Sequence, residues 1–190
     1  SSFPPSVATT AAPLRAQVEA ENAARVERLL ALEPLLGTGD VGRGRRLYFG
    51  DVANCHTCHT VGEEGGLLGP DLTTIGTVRS AHDLLEAIIF PSASFVPGYE
   101  PYRVDTEEDI FSGNILAQDE ETVTLATGVN AETLISRSEI LSMQPHTVSI
   151  MPEGLDAALT ETELIDLVTF LQSLNDEHWL LPERRDTAQP

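Results

Sequence analysis

The sequence predicts a mainly α-helical fold that carries a small antiparallel β insertion. Two stretches repeat apolar residues at helical spacing and begin with capping-box patterns, at 80–83 and at 160–163. Between them, residues 99–145 change to short alternating segments separated by acidic or glycine-containing turns. Aromatic residues make up only 5% of the chain, so the helical part has little bulky apolar filler of its own.

Three helices and four strands follow from these patterns. An N-terminal helix is expected from about Thr10 to Leu32, with Pro34 ending it. Ser80 and Thr160 begin the other two helices, and Pro91 ends the first of them. The predicted strands are 102–105, 110–116, 121–127 and 132–136, which together form an antiparallel meander or small open barrel.

Charge excludes two classes of partner. The 190 residues include 11 basic side chains, all arginine, against 30 acidic ones, and the formal net charge is −19. A protein that binds nucleic acids or anionic membrane surfaces needs clustered positive side chains, so neither is an expected partner. No apolar run approaches the roughly 18–20 residues that a spanning helix needs, so no direct membrane span is expected.

Both cysteines lie in one five-residue motif, Cys55-His56-Thr57-Cys58-His59. The pattern C-x-x-C-H is typical of covalent c-type haem attachment. Two thiols on one short turn can reach the two vinyl groups at one edge of a porphyrin. The histidine that follows is then carried beneath the iron as its proximal ligand. The sequence therefore predicts one haem c, with its iron bound by His59.

Three other interpretations of the cysteines compete with haem. A disulfide between such close neighbours closes a very small loop and stabilises little. A thioredoxin-like redox pair is expected between a strand and a helix, whereas a glycine-rich loop follows this motif. A structural zinc ion needs four ligands, and the remaining histidines show no paired spacing.

Two flanking segments supply further candidate groups. Pro70 has a carbonyl but no N–H, and it is our candidate acceptor for the second ring N–H of His59. Met151 precedes a proline just ahead of the last helix, where its thioether can reach the sixth position of the iron. The alternatives for that position are Met143, His146, water or an open site.

These motifs together resemble the class I cytochromes c. In that family the first helix, here about 40–50, crosses the last, here about 161–175, and the axial ligands correspond to His59 and Met151. The resemblance places Gly44 at the helix contact, with Tyr48 and Phe170 beside it. The motifs that carry it are Gly44…Tyr48, Cys55–His59, Gly69-Pro70-Asp71-Leu72, Met151-Pro152 and Asp166–Leu171.

A narrower similarity is to the cytochrome c domain first noted in planctomycetes and verrucomicrobia. It covers about 38–175 and implies a division of the chain into a cytochrome c domain with an insertion and two terminal segments. The matching stretches are 43–49, 84–93, 97–100 and 149–155. The expected divisions are 1–37, an N-terminal helical extension; 38–98, the first cytochrome part; 99–145, the β insertion; 146–176, the distal-ligand loop and last helix; and 177–190, a tail.

The resemblance implies a mono-haem electron carrier rather than an enzyme. Single electrons would pass by outer-sphere transfer to redox partners with a basic or apolar docking face. Haem is attached to such proteins outside the cytoplasm, which implies a periplasmic or other extracytoplasmic location. The alternatives are a haem enzyme or a gas or redox sensor with an open or labile sixth position, and the haem module of a larger dehydrogenase with fused or upstream domains.

Overall fold

A computed structural model describes the backbone of residues 5–175 and the side chains of residues 11–175. The predicted tail at 177–190 lies outside the described residues. The helices are α1 (Pro5–Leu32), α2 (Val41–Tyr48), α3 (Ile75–Val78), α4 (Ala81–Ile89) and α5 (Glu161–Ser173). The strands are β1 (Thr60–Val61), β2 (Glu64–Gly65), β3 (Pro101–Thr106), β4 (Ile110–Gln118), β5 (Thr122–Gly128), β6 (Ala131–Ser136) and β7 (Ile140–Pro145).

The expectation of a mainly α-helical class I cytochrome c fold is wrong. The described chain is mixed α and β, with a five-stranded antiparallel sheet and a separate two-stranded one. The physical reason is that the larger sheet builds a hydrophobic core of its own instead of only covering the helices. That core contains Val104, Val123, Leu125 and Ile135, each 2% exposed or less.

The larger sheet has the strand order β6-β5-β4-β3-β7. Strands β3 to β6 form an antiparallel meander, and β7 returns to pair with β3 at the other side. Strand β7 was not predicted, because Met143, Gln144 and Pro145 carry little strand propensity. Proline is tolerated at the end of an edge strand, where its missing N–H breaks no ladder bond.

The helical core centres on the contact between α2 and α5. Gly44 lies where the two helices touch, since a Cβ at this position would overlap the Asp166 carbonyl and lie 2.7 Å from the Phe170 Cβ. The buried Tyr48 and Phe170 rings pack 5.5 Å apart between centroids. Arg43 pairs with the buried Asp166 carboxylate at 2.6 Å. The same carboxylate accepts a hydrogen bond from the Asp40 N–H. These contacts set the position of the chain that continues from α2 into the cysteine motif.

Both predicted capping boxes are confirmed, at Ser80 with Asp83 and at Thr160 with Glu163. The N-terminal helix differs from its prediction because it begins at Pro5 and runs through Pro13. Ala11 and Ala12 before Pro13 and Leu14 after it have high helix propensity, which favours continuing the helix past its missing N–H.

Candidate haem site

The cysteine motif folds as a short turn directly after α2. Residues Cys55–Thr57 form one 3₁₀ turn, in which the Cys58 and His59 N–H groups both donate to the Cys55 carbonyl, at 3.1 and 2.9 Å. Asn54 begins this turn in the left-handed region, with φ of 48°, which asparagine tolerates better than most residues. Both thiols are free and partly buried. The local fold thus presents two thiols and an imidazole from a single turn.

Burial keeps both thiols protonated at neutral pH. It raises the pKa of Cys55 to about 12, and it also raises the pKa of Cys58. Thiol–disulfide exchange uses the thiolate, so this environment disfavours the redox-pair interpretation. Within residues 11–175, no three His, Cys, Asp or Glu side chains converge as a structural zinc site would require.

His59 is oriented by a hydrogen bond to the proline loop. Its Nδ1 lies 2.8 Å from the Pro70 carbonyl oxygen, and a carbonyl can only accept, so Nδ1 carries the hydrogen. The Nε2 lone pair is therefore left for a metal. Burial lowers the pKa of His59, outweighing the opposite effect of the bond to Pro70, so the ring is neutral at neutral pH.

Gly69 lets the backbone pass directly against the imidazole. A Cβ on this residue would overlap His59 Cε1 and lie 2.7 Å from Nδ1. The Gly69 N–H donates to the Cys58 carbonyl at 2.8 Å, which fixes the loop to the motif. No larger residue fits here unless the imidazole moves.

Two residues that the sequence did not assign to the site hold it from outside. The buried Tyr48 hydroxyl donates to the His59 carbonyl at 2.8 Å. Asn114, from β4, donates through Nδ2 to the Leu68 carbonyl at 3.2 Å, which ties the sheet to the loop before Pro70. Tyr48 was expected only to pack beside Gly44, and Asn114 lies in a strand without any motif around it.

Met151 lies on the same hydrophobic core as the cysteine motif. Its partly buried side chain and that of Cys55 both pack against the cluster that includes Tyr48, Leu85 and Leu164. The Met151 N–H donates to the Ser149 hydroxyl at 3.1 Å. Cys55 and Met151, which are 96 positions apart in sequence, thus pack against the same hydrophobic cluster.

The rival groups for the sixth position lie in or beside the sheet. Met143 belongs to β7 and packs against the sheet core around Val104 and Val123. The His146 N–H donates to the Pro101 carbonyl at 2.7 Å, which places this residue next to the start of β3. Met151 is therefore the better placed methionine, since it shares the core of the motif.

The donor set fits a covalently bound haem. A neutral imidazole with Nε2 available, two protonated thiols on one turn and a thioether on the same core are the groups that such a cofactor uses. Gly69 has no Cβ to press on the His59 ring. Cys55 and Cys58 would hold the porphyrin, His59 and Met151 the iron, and Pro70 the orientation of His59.

Comparisons with known proteins add no family to this picture. Neither a scan against protein-family models nor a search of curated proteins found a match to this chain. Across the described residues, no helix has the length and apolar character that crossing a bilayer requires.

Proposed function

We propose that this protein is a mono-haem c-type cytochrome that carries single electrons between partners outside the cytoplasm. The observation that carries the proposal is His59 held through Nδ1 by Pro70, next to two free thiols at C-x-x-C-H spacing. When bound, haem supplies a one-electron iron couple. The chain contributes ligands that stay in place during the redox change, which keeps reorganisation small.

Several residues of the chain have roles that this function requires. Pro70 fixes the tautomer of His59 and raises its basicity as a ligand. The Met151 thioether would help to hold the iron, where thioether ligation favours the reduced state and raises the potential. Tyr48 holds the His59 backbone through its carbonyl. None of these groups moves a proton in the proposed transfer, so no general acid or base is assigned and the protein is proposed as a carrier.

The proposed partner is a redox protein with a basic or apolar docking face. The net charge of −19 supports a basic face through long-range attraction. One groove of about 430 Å³ between β6, β7 and the β3–β4 turn combines exposed Leu134 and Leu141 with acidic side chains. Its carboxylates are Glu107, Glu108, Asp109 and Glu139.

The test of the proposed function is expression of the chain in an extracytoplasmic compartment with haem-attachment machinery. We expect one haem per chain that stays bound after denaturation, because thioether bonds survive unfolding. The isolated protein should then be reduced and reoxidised repeatedly without binding carbon monoxide. A chain that folds and carries no covalent haem would refute the proposal, and rapid carbon monoxide binding would favour an enzyme or sensor with an open iron.

A further inference from the structure

The N-terminal helix contacts the segment that follows Met151 through two arginines. Arg25 Nη1 lies 2.7 Å from Glu153 Oε2, and Arg28 Nε lies 3.1 Å from Asp156 Oδ2. These carboxylates come two and five positions after Met151. The arginines are more than 120 residues away in sequence, so the contacts join α1 to a segment that is distant along the chain.

Arg28 contacts both the Asp156 side chain and the backbone of this segment. Its Nη2 donates to the carbonyl oxygens of Asp156 and Leu159, at 2.9 and 3.0 Å. The Asp156 side chain is only 5% exposed, so little water competes with Arg28 for contact with it. A guanidinium suits this role because its fork of donors can serve several oxygens at once.

The helix that carries these arginines is itself anchored in the core. Leu29 and Leu32, on the same stretch of α1, are 8% and 0% exposed and belong to the cluster against which Met151 packs. The part of α1 that carries the arginines is therefore fixed to the core, so the arginines can hold the segment after Met151 at a defined position.

Ser92, after α4, holds the other side of the segment. The Ser149 N–H donates to the Ser92 hydroxyl at 3.1 Å, and the Ser149 hydroxyl accepts from the Met151 N–H at the same distance. The chain is thus held before Met151 by the contact of Ser149 with Ser92, and after Met151 by the contacts with the two arginines.

We propose that Arg25 and Arg28 are positioning residues that hold the Met151 loop closed. This inference rests on the proposed function, in which the Met151 thioether is the sixth ligand. Without the arginines, the 151–156 segment loses its attachment to α1. It then samples conformations in which the Met151 thioether is too far from the iron to bind it. The N-terminal helix then controls how often the sixth position is open to an external ligand.

The test compares Arg28→Met, Arg25→Met and the double variant with Arg15→Met, all in the full-length protein. Methionine keeps much of the apolar stem and removes the charge. Arg15 is a matched control because it is exposed on the same helix. Carbon monoxide binding to the reduced protein reports the open fraction, and the far-red sulfur-to-iron band reports the closed one.

In the parent protein, carbon monoxide should bind only over long incubation, because Met151 is rarely displaced. We expect it to bind at least about tenfold faster to Arg28→Met, as the loss of a charge-assisted hydrogen bond implies. The double variant should bind faster still, with a weaker far-red band, and Arg15→Met should match the parent protein. Parent-like binding rates in Arg28→Met, Arg25→Met and the double variant would overturn the inference. If Arg28→Met does not fold, Arg25→Met decides alone, because Glu153 is the more exposed carboxylate.

Hydrogen exchange separates this inference from the proposed function. Amides of 149–156 should exchange faster in the Arg28→Met protein, while those of α5 keep their protection. This readout does not require Met151 to bind iron. A parent protein that binds carbon monoxide rapidly would refute Met151 ligation, but faster exchange in Arg28→Met would still support the positioning role of the arginines. Unchanged exchange at 149–156 would refute that positioning role.

Discussion

The His59 ring and the Pro70 carbonyl oxygen are joined by a 2.8 Å contact to Nδ1. This contact fixes which ring nitrogen carries the hydrogen and leaves Nε2 unprotonated in the neutral ring. The backbone of the same residue is held by the Tyr48 hydroxyl, also at 2.8 Å. One histidine is therefore fixed at both its ring and its carbonyl, an arrangement suited to a metal ligand that must not move.

Replacement of Met151 tests the proposed sixth ligand. We expect Met151→Ala to lower the reduction potential, because thioether ligation favours the reduced iron, and to let carbon monoxide bind. Potentiometry and carbon monoxide difference spectra measure both effects. Met143→Ala is the matched control, since Met143 packs in the sheet core, and it should leave potential and spectrum unchanged. An unmoved potential in Met151→Ala would remove Met151 from the ligand set.

Replacement of the cysteines tests covalent attachment. We expect Cys58→Ala to weaken haem retention after denaturation and the double variant with Cys55→Ala to abolish it, since each thiol supplies one thioether. Haem staining of a denaturing gel, normalised to protein, measures retention. A parent-like haem yield from the double variant would contradict the assignment of these thiols.

Gly69→Ala tests whether the space beside His59 is needed. The new Cβ would lie 2.7 Å from Nδ1, so the imidazole must turn and its bond to Pro70 must lengthen. We expect a reduced haem yield and a weaker far-red band. Gly128→Ala is the control, because its Cβ would meet only Ala131 at 3.7 Å. Equal haem yields from the two variants would contradict the proposed packing.

Gly44→Ala tests the contact between α2 and α5. The added methyl would press on the backbone of Asp166 and on the Phe170 Cβ, so unfolding free energy should fall by about 1–3 kcal/mol, as in other overpacked cores. Gly42→Ala, on the same helix, meets its nearest atom at 3.4 Å and should be neutral or stabilising by up to about 1 kcal/mol. Urea unfolding of the two variants measures the difference, and equal losses would count against the close crossing.

Asp166 predicts a defined acid dependence of stability. Its pKa is held below the usual range chiefly by the hydrogen bond from Arg43, against the effect of burial. A carboxyl that binds its proton less readily when folded stabilises the protein above about pH 4, and this contribution disappears as the pH falls through the lower folded-state value. Asp166→Asn should therefore be less stable at pH 7 and should decline less on acidification. Urea midpoints from about pH 7 to pH 2 measure both slopes, and parallel slopes would refute the role of Asp166.

The sequence was most informative where a pattern has one physical cause. Both capping boxes are local, since Ser80 and Thr160 interact with residues three positions later, and both were predicted correctly. The C-x-x-C-H motif is equally local, and its turn forms within five residues. The helical class failed because the 101–145 sheet is larger than predicted, and its fifth strand forms only by pairing with β3, which is distant in the sequence. Strand β7, which pairs back to β3, left no periodic signal.

Two of the supporting contacts of the site join residues that are distant in sequence. Asn114 reaches Leu68 across 46 positions, and Arg28 reaches Asp156 across 128. An isolated asparagine or arginine has no spacing pattern, so only the folded chain reveals its partner. The candidate ligands and the Pro70 acceptor could be named from motifs, whereas the supporting roles of Tyr48, Asn114 and Arg28 could not.

The central claim is that a covalently bound haem is ligated by His59 and Met151, and one optical measurement tests it most directly. The oxidised protein is scanned for the weak far-red sulfur-to-iron band, and carbon monoxide is then added to the reduced protein. We predict that the band is present and that the reduced spectrum does not respond to carbon monoxide. An absent band with rapid carbon monoxide binding would contradict His/Met ligation and make an open-site haem enzyme or sensor the better account.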